Sequence, residues 1–186
     1  MKPPVKPPID YATTGLTIQH AMLDVHARYP DKKNRPKHIL WNGLSVTTAD
    51  CFSVPMRGRV KLEILSKNSN VAQGIDIDID DGALYLIDGE EIPLLRTWAD
   101  DRYEDTVEYP YYSASGRLWV WNVYKVTFPN GQTSDEKWTG NAGFWIEKID
   151  NYQRIYHCSN GCDNLPNFES LVFKLTVTPL DSHGSV

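Results

Sequence analysis

From Gly74 to Gly82 the chain reads GIDIDIDDG, apolar and acidic side chains in strict alternation, and a repeat of two excludes a helix. The segment is therefore a strand. Ile75, Ile77 and Ile79 are expected to point into a core, leaving Asp76, Asp78 and Asp80 in a row on the opposite face. Carboxylates stacked on one face repel and Asp is a poor strand former, so the arrangement carries a stability cost. A basic protein partner, the chain's own basic N-terminal third, or solvation offers the compensation. Calcium fits poorly. Counting Asp76 as first ligand of a helix-loop-helix calcium loop places Gly82 seventh, where the sixth position is required, and Ile87 twelfth, where Glu is required.

A second β signal runs from Arg117 to Glu147. Leu118 to Phe128 is almost wholly β-branched and aromatic, and Asn130-Gly131 follows as a hairpin turn in which both central residues are expected at positive φ. One face carries Trp119, Trp121 and Val123, and the other carries Leu118, Val120, Asn122, Tyr124 and Val126. Both faces are apolar at the base of the ribbon. It is either a central strand covered on both sides or a strand showing aromatic rings to a ligand.

Further strands are expected at His38 to Val46, Arg59 to Leu65, Phe144 to Ile149, Arg154 to Cys158 and Leu171 to Val177, with a hairpin of Ala83 to Ile87 and Ile92 to Leu95. Thr139 to Gly143 (TGNAG) is a small-residue segment where backbone approaches something closely or bends. Helical spacing occurs once, at Ile18, Met22, Val25 and Tyr29, with Thr13 or Thr14 as cap; Leu16, Ile18, His20 and Met22 also read as an alternating strand. The fold class is thus mainly β, an antiparallel β-sandwich or partly open barrel with one short peripheral helix. One domain over residues 13–180 is expected, with a disordered Pro-rich tail at 1–12 and a frayed tail at 181–186. At 186 residues such a domain buries roughly 70% of its extended surface.

The formal charge of −5 conceals an uneven distribution. Residues 1–75 hold eleven Lys/Arg against five Asp/Glu, and residues 76–108 hold two against twelve. The acidic block attracts basic surfaces and repels nucleic acid. Its last part, Thr97 to Tyr112, lacks a clean period and reads as a long loop mixing acids with aromatic rings. Partner-binding candidates are Asp76, Asp78, Asp80, Trp98, Asp100, Asp101, Tyr103, Glu104, Asp105, Glu108 and Tyr111. Aromatic anchors supply affinity there, and carboxylates steer the encounter. The basic loop Arg28 to Lys37 meets phosphates or an acidic surface, or is a solvated connector.

Catalytic motifs are absent: no G-x-S-x-G, phosphate loop, dinucleotide fingerprint or H-E-x-x-H occurs. His157, Cys158 and Cys162, with distant Cys51, form the densest reactive cluster, but adjacent strand residues point to opposite faces and the second metal-ligand pair is missing. No cofactor is expected. Three cysteines, and a Lys- and Pro-containing N-terminus without an apolar block, suggest a cytoplasmic chain, and no apolar run is long enough for a transmembrane helix. The expected function is a non-enzymatic, immunity or antitoxin-like inhibitor of a basic bacterial effector or toxin. A carbohydrate-binding module stacking sugars on Trp119, Trp121, Trp138 and Trp145, or a hydrolase of unknown type, are the alternatives.

Overall fold

A computed structural model describes residues 8–100 and 105–180 of the chain. The fold is antiparallel β with a single α-helix among the described residues. The strands are β1 (Ile39–Trp41), β2 (Leu44–Thr47), β3 (Asp50–Ser53), β4 (Arg57–Lys67), β5 (Gln73–Tyr85), β6 (Glu91–Ile92), β7 (Leu94–Trp98), β8 (Thr106–Thr127), β9 (Thr133–Glu136), β10 (Gly143–Lys148), β11 (Gln153–Ser159) and β12 (Leu171–Pro179). All twelve join one sheet, in the order β1-β2-β10-β11-β12-β4-β8-β5-β6, with β3 and β9 also on β8 and β7 also on β5.

Two long strands make this sheet an open sandwich. The first part of β8 pairs with β4 and its later part with β3 and β9, while β5 runs along the later part and, past the corner, along Tyr111 to Ser113. The switch falls at a corner where Asp81 and Gly116 take positive φ and the β5–β8 register shifts between Asp80 and Gly82. Ser113 fastens the corner by donating to the Asp80 carbonyl at 2.7 Å. The layers then face each other. Ile75, Ile77, Ile79, Leu118 and Val120 share one core with Leu62, Phe144, Tyr156, Phe173 and Leu175. Each such side chain contributes roughly 1.5–3 kcal/mol relative to exposure. Tyr156 donates across the core to Asp50 at 2.9 Å, and Asn122 to the Ser159 carbonyl at 2.9 Å.

Several expectations change. Residues 106–112 are strand, not loop: Val107, Tyr109 and Tyr111 alternate toward the core opposite Leu62, Val60 and Gly58, a period masked by tyrosines on both faces. Pro110 is tolerated because the β5 ladder reaches only Tyr111, so its missing N–H falls at an open edge. The expected strand from His38 to Val46 is broken by Asn42-Gly43, and it is there that both turn residues take positive φ, 48° and 77°. At Asn130-Gly131 only Gly131 does, at 82°, and the turn closes through Gly131 N–H to the Phe128 carbonyl.

Helix α1 (Ile18–Arg28) starts from Thr17, not Thr13 or Thr14, and Thr17 accepts from His20 N–H at 3.3 Å. Ile18, Ala21 and Val25 bury one stripe against Tyr11, Ile39, Trp41 and Val46 in a second, smaller core. The small-residue segment receives the helix N-terminus: Asn141 accepts from Ile18 N–H at 3.2 Å, and Gln19 accepts from Gly140 N–H at 3.0 Å. A side chain on Gly140 would collide with the Gly161 carbonyl, and one on Gly143 would press on the Thr47 carbonyl at 3.0 Å. The ordered body also begins before residue 13. Asp10 accepts from Asn42 and Gly43 N–H, and Tyr11 is buried. The remainder of both expected tails, 1–7 and 181–186, lies outside the described residues. No helix of the described chain is long and apolar enough to cross a membrane.

Candidate functional site

The outward face of β5, β7 and the later part of β8 gathers residues that the sequence offers as two separate sets. Antiparallel register places Asp76 opposite Trp121, Asp78 opposite Trp119 and Asp80 opposite Arg117 on β8. On the other flank it places Gly74 opposite Trp98, Asp76 opposite Arg96 and Asp78 opposite Leu94 on β7. Lys137 and Trp138, just after β9, complete the face.

Within the row the three carboxylates differ. Asp76 is fully buried rather than presented to solvent. Arg96 grips it through Nε and Nη2, both at 2.7 Å, and Trp121 Nε1–H donates to it at 2.8 Å. The third guanidinium nitrogen reaches Asp135 at 3.2 Å. A bidentate pair with an added indole donor satisfies the desolvated carboxylate, and the Asp76 side chain holds the Arg96 pKa above its ordinary value. Asp80 is paired with Arg117 at 2.6 Å and accepts from Ser115 at 3.1 Å. Asp78 has neither hydrogen bond nor ion pair among the described residues. Desolvation, then the Asp80 charge, pushes its pKa up, partly opposed by Lys137.

Around this row the rings form a platform. Trp121 is 6% exposed, a correction to its expected role as a stacking surface, because its indole covers the Asp76 pair. Trp138 meets it edge-on at 5.6 Å and remains 43% exposed. Lys137 Nζ lies 4.9 Å and 4.6 Å from the two ring centroids, and Lys125 Nζ lies 4.7 Å from that of Trp98. Trp138 takes φ of 61°, rare for a bulky residue and a local strain on the order of 1–3 kcal/mol. Trp119 is half-buried.

The other partner-binding candidates do not join this face. Tyr111 is 2% exposed and donates to the Pro55 carbonyl at 2.9 Å, so it belongs to the core, not to a partner surface. Asp100 is bound by Lys67 at 2.9 Å. Glu108 lies opposite Lys61 on β4, and Asp105 is exposed beside it. Asp101, Tyr103 and Glu104 lie outside the described residues. Three of the expected acids are therefore neutralised by this chain's own cations, two of which, Arg96 and Arg117, stand outside the basic N-terminal third. Nothing local in the sequence marks them, since the pairing of Arg96 depends on the β5–β7 register and that of Arg117 on the β5–β8 register.

The reactive cluster separates. Cys158 is in the core, where burial pushes its thiol well up and keeps it protonated. His157 points the other way, stacked on Trp145 at 3.9 Å and within 3.2 Å of Glu169, while Cys162 is exposed. No three His, Cys, Asp or Glu side chains converge as a metal site among the described residues. Compared with known protein families, curated proteins and solved structures, the chain has no significant match.

Proposed function

We propose that the chain is a non-enzymatic binding protein that engages a basic protein through the outward face of β5, β7 and β8, as an immunity or antitoxin-like inhibitor does. The observation that carries this reading is the state of Asp78. Its neighbours Asp76 and Asp80 are each held by an arginine of the same chain, and Asp78 stands between them with no cation of its own among the described residues. Partly desolvated and flanked by Trp119 and Leu94, it offers an incoming ammonium or guanidinium a carboxylate and an aromatic wall together. A charge-assisted contact of this kind contributes about 1.5–3 kcal/mol.

The test compares the native chain with Asp78→Lys as bait in a lysate of the source organism, eluting with rising salt. A basic protein retained by the native chain and lost from the variant is expected, and the purified pair should show the same difference. Equal recovery of the same proteins by both baits removes the reading. A carbohydrate ligand is favoured by a different observation, the exposed Trp138 held at positive φ. In that case Trp138→Ala abolishes retention on a glycan array while Asp78→Lys leaves it intact.

A further inference from the structure

On other elements of the fold, a groove of about 660 Å³ opens between the end of α1, β1 and the segment entering the domain. Ile9, Val25, Ile39 and Leu40 give it an apolar lining, and Arg28, Tyr29 and His38 stand among its walls. The volume is within the range of small-molecule sites, about 300–1,000 Å³.

Arg28 is tied by one nitrogen there. Its Nε binds Asp24 Oδ2 at 2.6 Å, and the same oxygen accepts from the Tyr11 hydroxyl at 2.6 Å. Burial and then the Asp24 hydrogen bond push the Tyr11 pKa up to about 12, so the phenol stays a donor at neutral pH. That hydrogen bond also lowers the Asp24 pKa and keeps the carboxylate charged. With Nε occupied, the two terminal amino groups of Arg28 have no hydrogen-bond partner among the described residues. A guanidinium anchored at one corner with both ends open is a preorganised fork for a carboxylate.

Nearby charges agree in sign. Each acid of the neighbourhood is already engaged: Asp24 as above, Asp10 with the N–H groups of Ala12, Asn42 and Gly43, Asp31 with Lys33 N–H and Asn34, and Asp50, near His38, with Tyr156 and Arg154. Lys32, Lys33 and Lys37, in the adjoining loop, form no ion pair among the described residues. Arg35 is spent on the carbonyls of Tyr29 and Pro30. We infer that the groove binds a small apolar carboxylate, an acyl or aryl chain seated on the half-buried Ile9 and Leu40, over a floor of Val25 and Ile39, with its acid on Arg28.

Calorimetric titration of the full chain with dodecanoate below its micellar concentration, and with 1-naphthoate, tests the site, with dodecanol as the neutral counterpart. Saturable binding of at least one acid is expected, with the alcohol about tenfold weaker than dodecanoate if the acyl chain fits. Arg28→Gln should remove that preference and weaken the acid about tenfold, with an unchanged circular dichroism spectrum. No binding of either acid, equal affinity for acid and alcohol, or an acid affinity untouched by Arg28→Gln overturns the inference.

Discussion

Arg96 and Arg28 each hold an aspartate of the same chain, and the two regions they organise are opposite in kind. Around Arg96 every nitrogen of the guanidinium is used, two on Asp76 and one on Asp135, and Trp121 closes over the pair. That cluster is complete, and what the face offers a partner is the adjacent Asp78. Around Arg28 a single nitrogen is used, and the arginine, which lines the groove, has no other partner among the described residues. What a charged surface offers is therefore decided by which groups remain unpaired. The acidic block 76–108 looks more negative in a count of residues than it does once its cations are in place.

The comparison breaks most visibly at its closed end. Asp76→Ala leaves Arg96 with Asp135 as its only counterion and the Trp121 indole N–H without an acceptor, and is expected to destabilise the fold by about 1.5–3 kcal/mol in urea unfolding, since Arg96 is partly exposed. A loss below about 1 kcal/mol would mean that the cluster is not sealed from water. At the open end Tyr11→Phe removes one donor from Asp24 and should cost about 1 kcal/mol. The same change should let Arg28 move, so acid binding in the groove weakens more than stability does.

The smallest effect concerns Asp78 and has the reverse sign. Its pKa is raised in the folded state, so the ionised form opposes folding at neutral pH. The penalty is fully present above the folded pKa and disappears as pH falls below the unfolded value. Asp78→Asn should therefore stabilise the protein at pH 7, by less than about 1 kcal/mol given partial exposure, with the gain vanishing in acid. A variant that is less stable at pH 7 would show that Asp78 has a structural partner and is not the unpaired member of the row.

Much of the fold was legible because local period and burial agree. The alternation of Ile75, Ile77 and Ile79 and the apolar run from Leu118 to Tyr124 place both central strands, and the spacing of Ile18, Met22 and Val25 places the helix, although Ala21 rather than Met22 completes its buried stripe and Tyr29 falls just beyond its end. The beginning of β8 was hidden because Tyr109, Pro110, Tyr111 and Tyr112 blur inside and outside. The site was legible only in halves. Asp76, Asp78 and Trp121 stand out as residue types, but Arg96 becomes their partner through a strand register that no local pattern specifies. Arg28 and Asp24 are four apart on one helix and readable as a pair, whereas Tyr11, which orders them, arrives from a segment that looks like a loose tail.

Because β8 runs unbroken through both layers of the sandwich, the layers cannot slide or hinge against each other without parting its ladders to β4 or β5. The outward face of β5 and β8 is thus mechanically welded to the core behind it. A partner arriving there meets a stiff template, and the ordering cost of association falls on the partner rather than on this chain.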